Sequence, residues 1–102
     1  MKVELIREKL APILRNGNAD KAILFGSHSR STQDSRSDVD LIIVDEEDIP
    51  YLRRLDKYHA DIVDALGSPV DLFVYLPDEF ERMKDEFFVG RAVAEGITLY
   101  ER

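Results

Sequence analysis

Apolar residues recur along the chain with two alternating periods. Val3, Ile6, Leu10 and Ile13 fall at helical spacing, and Asn16-Gly17-Asn18 ends the helix they predict. Pro12 lies inside that helix and predicts a kink or a division. Lys21 to Phe25 is a short apolar run stopping at Gly26, the signature of a buried strand. Ser27 to Thr32 reads as a short helix with Ser27 as its N-cap, and Gln33 to Ser37 as polar loop. Val39 to Val44 is a second strand, with apolar residues on both faces, as in a strand covered on both sides. The acidic run Asp45 to Asp48 reads as a solvated turn. Asp48 is placed to cap the next helix, with Pro50 in its first turn. Leu52, Leu55, Tyr58, Ile62 and Leu66 give that helix an apolar stripe, ended by Gly67. Val70 to Tyr75 is a third strand. Pro77 and Asp78 open a last helix carrying Phe80, Met83 and Phe87 on one face, with Gly90 as a break before Gly96. Ile97 to Tyr100 reads as a short edge strand. The sum is an α/β domain of about four strands with helices between them.

At 102 residues the chain fits one domain, residues 1–102, with one core. It has no cysteine, which excludes disulfides and thiolate metal sites. No apolar run approaches the roughly 20 residues of a membrane-spanning helix. The opening Met1-Lys2-Val3-Glu4-Leu5 mixes charge into its first turn, unlike a signal peptide. The cytoplasm is the expected location. The formal net charge of -7 is opposite in sign to that of a tight nucleic-acid binder, whose Lys and Arg neutralise phosphates. An acidic domain can still hold a nucleotide through bridging metal ions, and its charge suits a basic protein partner.

The chemistry concentrates between Gly26 and Leu41. Gly26-Ser27 sits where a strand turns toward a helix. Glycine lets backbone approach a ligand, free N–H groups at a helix start attract anions, and Ser27 adds a hydroxyl. Arg30 lies one helical turn further on, an arrangement that suits a triphosphate. A Gly-Ser turn by itself is common, however, and most are plain capped turns. Asp38 and Asp40 are alternate residues of a strand, so they point to the same side, about 7 Å apart at roughly 3.3 Å rise per residue. Hard oxygen ligands without His or Cys nearby point to magnesium or manganese rather than zinc. Asp71 stands between Val70 and Leu72 as Asp40 stands between Val39 and Leu41. A charged residue inside an apolar run needs a reason, because burying it unpaired is expensive. If the third strand lies beside the second, Asp71 comes within about 5 Å of the Asp38/Asp40 row. Three carboxylates would then converge on one metal site, and Asp71 could take the proton of an attacking hydroxyl. The plainer alternatives are two surface aspartates at a strand start and a third capping the Ser68-Pro69 turn.

Gly26-Ser27-x-x-Arg30 followed by Ser37-Asp38-x-Asp40-Leu41, with Asp71 in a later apolar strand, resembles the polymerase-beta-type nucleotidyltransferase superfamily, and in particular its minimal nucleotidyltransferases. The resemblance spans nearly the whole chain. It implies a polymerase-beta-like fold, a mixed sheet of about four strands with helices mainly on one face. It implies that Gly26, Ser27, Arg30 and Ser37 contact the nucleotide phosphates, and that Asp38, Asp40 and Asp71 form a catalytic triad holding two Mg2+ ions, with ATP or another nucleoside triphosphate as substrate. One position departs: the family usually has glycine after the arginine, where this chain has Ser31. Minimal nucleotidyltransferases are often antitoxins paired with a HEPN-type RNase toxin, neutralised by binding or by adenylylation of a tyrosine. The alternatives are an antitoxin that acts by complex formation alone, and a small-molecule transferase of the aminoglycoside type, for which the chain has no obvious drug-holding domain. The accepting hydroxyl must come from a partner protein or a second copy of this chain.

The remaining polar and aromatic residues have duller expectations. His28 reads as a turn residue, His59 as an exposed helix edge and Arg36 as solvated loop. Arg53 and Arg54 read as a solvated helix face, Tyr75 and Tyr100 as core edge. Phe87-Phe88 reads as core, with one ring facing an interface.

Overall fold

The computed structural model describes residues 2–25 and 39–102, without the side chains of residues 87 and 88. Among the described residues the elements run α1 (Val3–Asn16), β1 (Lys21–Phe25), β2 (Val39–Val44), α2 (Tyr51–Leu66), β3 (Val70–Tyr75), α3 (Pro77–Met83), α4 (Phe87–Glu95) and β4 (Ile97–Glu101). The predicted helix at 27–32, the loop at 33–37 and the expected packing of the Phe87 and Phe88 rings lie outside what is described.

The strands form one mixed sheet in the order β3-β2-β1-β4. β1 pairs antiparallel with β2 and with β4, and β2 pairs parallel with β3 across the α2 crossover. Side chains alternate between the two faces. Ala22, Leu24, Val39, Leu41, Ile43, Val70, Leu72 and Val74 point to the face covered by α1 and α2, where Ile6, Leu10, Leu14, Tyr58, Ile62 and Leu66 complete the larger core. Ile23, Ile42 and Val44 point to the other face and meet Phe80, Val89 and Ala92 of the short helices α3 and α4. The two long helices share one face and the two short ones pack on the other, and β2 is apolar on both because both are covered there.

Several local expectations are corrected. α1 is not divided at Pro12. Pro12 is exposed, so the helical hydrogen bond it forgoes lies on the solvent side, where water can meet the freed carbonyl. α2 begins at Tyr51 with Pro50, not Asp48, at its N-cap and no side-chain cap. The Pro50 carbonyl instead accepts from the Arg53 and Arg54 N–H groups. The last helical stretch breaks at residues 84–86, not at Gly90, which lies inside α4. A Cβ on Gly90 would stand 2.8 Å from the Lys84 carbonyl oxygen, so this glycine serves a close approach between the two helices.

Two charged residues expected in solvent are buried. Arg54 is 8% exposed, and its guanidinium donates to the carbonyls of Ile49 and Val74 and to Glu79 Oε1 at 2.7 Å, joining α2, β3 and α3. Asp45 is 4% exposed and accepts from Lys57 Nζ, the Tyr58 hydroxyl and the Glu47 N–H. Burial alone would raise the Asp45 carboxyl, but those three donors outweigh it and hold it below its ordinary value. The sequence pattern failed at both positions because each side chain is paired by a residue distant in the chain.

Candidate active site

β2 and β3 run parallel in register, and Asp40 is the direct partner of Asp71. Partners in a parallel ladder carry their side chains on the same face, with strands about 4.8 Å apart. That face is the one shared with Ile42 and Phe73, and it is less covered toward the β2 start. Ile42 is fully buried, Asp40 is half-buried and Asp71 is exposed. On the other side of Asp40, its antiparallel partner is Phe25, the last residue of β1. The chain therefore leaves β1 at Phe25 and re-enters β2 at Val39 at the same end of the sheet, beside the two carboxylates.

Of the residues singled out in the sequence, Asp40 and Asp71 are thus brought together on adjacent strands. Gly26, Ser27, Arg30, Ser31, Ser37 and Asp38, with His28 and Arg36, lie outside the described residues. The described residues alone contain no group of three His, Cys, Asp or Glu side chains able to hold a metal ion; what they supply is the Asp40–Asp71 pair. Like charges directly opposite each other in a sheet are destabilising, and a divalent cation between them relieves that repulsion. Carboxylate oxygens are the ligands magnesium and manganese prefer, so the donor chemistry fits such an ion.

Residues not anticipated for the site surround this pair. Phe25 and Phe73, with ring centroids 6.3 Å apart, flank the carboxylates on their own face. A groove of ≈ 360 Å³ opens beside Asp71, lined by Leu55, Asp56 and His59 of α2 and by residues 70–73 of β3. His59 is exposed as expected, with Nε2 3.3 Å from the Val70 carbonyl oxygen. The alternation Asp71, Phe73 could have revealed the aromatic neighbour. Asp56 and His59 gave no signal, because the rotation of α2 about its axis relative to β3 is set by tertiary packing.

The model of the "Polymerase beta, Nucleotidyltransferase" family matches residues 8–102. The chain belongs to that nucleotidyltransferase family. It is therefore built to transfer a nucleotidyl group, with a nucleotide as substrate. A curated relative from Methanocaldococcus jannaschii, named "Putative protein adenylyltransferase MJ0435", is 32% identical over 75 residues, 74% of this chain and 80% of the relative. Among solved structures, a toxin–antitoxin with AMP-PNP superposes with a TM-score of 0.69 at 24% identity, over 94% of this chain and 73% of the other. A complex of a tri-AMPylated Shewanella oneidensis HEPN toxin with its MNT antitoxin superposes with a TM-score of 0.64 at 20% identity, over 98% of this chain and 73% of the other. These likenesses carry the fold, and they agree with the mixed four-stranded sheet. Among the described residues no helix is long and apolar enough to cross a membrane.

Proposed function

We propose that this nucleotidyltransferase moves an AMP group from ATP to a hydroxyl of a partner protein, a HEPN-type toxin, and thereby acts as its antitoxin. The observation that carries the reading is the register of β2 on β3, which sets Asp40 and Asp71 side by side on one face at the end of the sheet where β1 ends at Phe25. The M. jannaschii relative's name and the tri-AMPylated toxin of the S. oneidensis complex support protein as the acceptor and AMP as the transferred group. The cytoplasm, where ATP and magnesium abound, is the setting, and residues 1–102 act as one minimal domain.

In this reading Gly26, Ser27, Arg30 and Ser37 bind the phosphates, while Asp38, Asp40 and Asp71 hold Mg2+, with two ions expected. When bound, the metal neutralises phosphate charge and polarises the phosphoryl oxygens. Asp71, the exposed member, accepts the proton from the acceptor hydroxyl. The acceptor oxygen bonds to the α-phosphorus as the bond to the bridging oxygen breaks, and pyrophosphate leaves. The flanking Phe25 and Phe73 limit water on the sheet side of the pair.

The test is transfer of label from α-labelled ATP to the HEPN-type protein. Asp40→Asn and Asp71→Asn should each lower transfer ~100-fold or more, since groups that only support a metal's ligands already cost about 10–100-fold. EDTA should abolish transfer and added Mg2+ restore it. Transfer unchanged in either variant would remove the catalytic assignment. A second reading, inhibition by complex formation alone, draws on Ser31 in place of the family's glycine. It predicts toxin neutralisation undiminished in Asp40→Asn.

A further inference from the structure

Among the described residues β3 is an edge strand. Val39 N–H donates to the Pro69 carbonyl and Asp45 N–H to the Tyr75 carbonyl. With the parallel register, these bonds turn the backbone groups of Asp71 and Phe73 toward β2 and those of Val70, Leu72 and Val74 outward. Two of the outward carbonyls are covered by α2: Val70 by His59, at 3.3 Å, and Val74 by Arg54, at 3.4 Å. Between them the Leu72 N–H and C=O face the groove with no hydrogen-bond partner among the described residues. An open stretch of edge backbone is a template for another strand.

The surroundings select what could pair there. The groove is walled by Leu55, Asp56 and His59 on the α1/α2 side of the sheet and by Asp71 and Phe73 on the other. Leu52, 75% exposed, continues the α2 wall at helical spacing from Leu55, Asp56 and His59. An added strand alternates its side chains between these two faces. A residue on the Asp71 face would sit about 4.8 Å from Asp71, as Asp71 sits from Asp40. Its neighbours in sequence would face Leu55 and Asp56, where an apolar or basic side chain is favoured. A second copy of this chain pairing β3 to β3 would bring Asp56 and Asp71 toward their own counterparts, and like charges oppose that. The net charge of -7 points the same way, toward a basic partner.

We propose that the acceptor segment of the partner protein docks as an added strand on the edge of β3 at Leu72, with its hydroxyl residue beside Asp71 and a Lys or Arg neighbour facing Asp56. The inference rests on the transfer reading above and adds to it the route by which the hydroxyl arrives. Backbone pairing holds the acceptor at fixed register, so the main chain rather than a deep pocket positions the reacting oxygen.

Amide hydrogen exchange measured residue by residue, with and without the cognate HEPN-type protein, tests it. The Leu72 amide should slow at least about tenfold in the complex, while the opposite edge strand β4 is unaffected. Asp56→Lys, on an exposed position of α2, should raise the KM for the protein acceptor about tenfold by placing like charges together; its thermal midpoint reports that it folds. Binding and AMP transfer without protection at Leu72, or an unchanged acceptor KM in Asp56→Lys, overturns the docking mode and leaves the transfer reading intact. Protection of Leu72 that grows with the concentration of the chain alone shows self-pairing and also overturns it. No binding to the HEPN-type protein overturns the transfer reading, and this inference with it.

Discussion

Replacing Asp45 by asparagine tests whether the buried charge after β2 stabilises the fold. Three donors converge on this carboxylate: Lys57 Nζ at 2.8 Å, the Tyr58 hydroxyl at 2.6 Å and the Glu47 N–H at 2.8 Å. Asparagine keeps one acceptor oxygen and brings two N–H hydrogens of its own to meet those donors. Two of the donors keep an alternative. The Tyr58 hydroxyl lies 3.0 Å from the Gly17 carbonyl oxygen, and Lys57 lies 3.0 Å from Glu47 Oε1. The loss is therefore chiefly the charge-assisted part of the two side-chain bonds. Hydrogen bonds to charged groups contribute about 1.5–3 kcal/mol each. Lys57 retains 24% side-chain exposure, which screens its share. The low end of that range for each bond gives a cost of about 3 kcal/mol. That is roughly a third of the ~5–15 kcal/mol that holds a domain together, and it lowers the thermal midpoint by about 12–24 °C for a chain of this size. The effect should depend on acid in a set direction. The folded carboxyl is held below its ordinary value, so its contribution is complete above the unfolded pKa of about 3.9 and fades as pH falls from there through the folded value. Urea unfolding of the native protein and Asp45→Asn, at pH 7 and in steps from pH 5 to 3, measures both quantities. A difference below about 0.5 kcal/mol at pH 7, the range of ordinary surface substitutions, or a gap that fails to narrow in acid, would refute the reasoning.

Substitutions at two further positions probe the same framework. Gly17→Ala places a methyl 2.5 Å from Tyr58 Cε1 and 2.7 Å from its hydroxyl, so it should cost about 1–3 kcal/mol in denaturant unfolding; a neutral result would mean that Tyr58 is not held against the end of α1. Arg54→Ala leaves two backbone carbonyls without their donor and removes the charged one of the two donors to Glu79 Oε1, which keeps the Leu76 N–H. Breaking a buried pair costs about 3–5 kcal/mol, and the 30% exposure of Glu79 brings this one to about 2–3 kcal/mol. Arg54→Lys should recover only part of it, because one ammonium cannot reproduce the guanidinium's three separate contacts.

How much of this was legible in the sequence varies by residue. The strands were, because Val39 to Val44 and Val70 to Tyr75 are apolar runs whose one out-of-place carboxylate sits second in each. That shared position is what let Asp40 and Asp71 be expected side by side, and the parallel register makes them partners. Asp45 and Arg54 were misjudged because hydropathy counts a charge as a solvent seeker. It cannot see that Lys57, Tyr58 and Glu79 supply the partners. The N-cap of α2 was misplaced because Asp48 is a better capping residue than Pro50, yet the Arg54 side chain bonds the Ile49 carbonyl and Pro50 turns the chain. The groove beside Asp71 was invisible, since it is made by the approach of α2 to a strand beginning four residues after its end.

β2 carries a carboxylate near its start and another just past its end, with only apolar residues between them. Because side chains alternate, sliding β2 by one residue along β1 and β3 would turn Asp40 beneath α1 and α2, among hydrocarbon, and pull Asp45 away from Lys57 and Tyr58. Both penalties fall together on every odd shift. The sequence of the strand thus sets its own alignment, because each such shift costs energy at both of its ends.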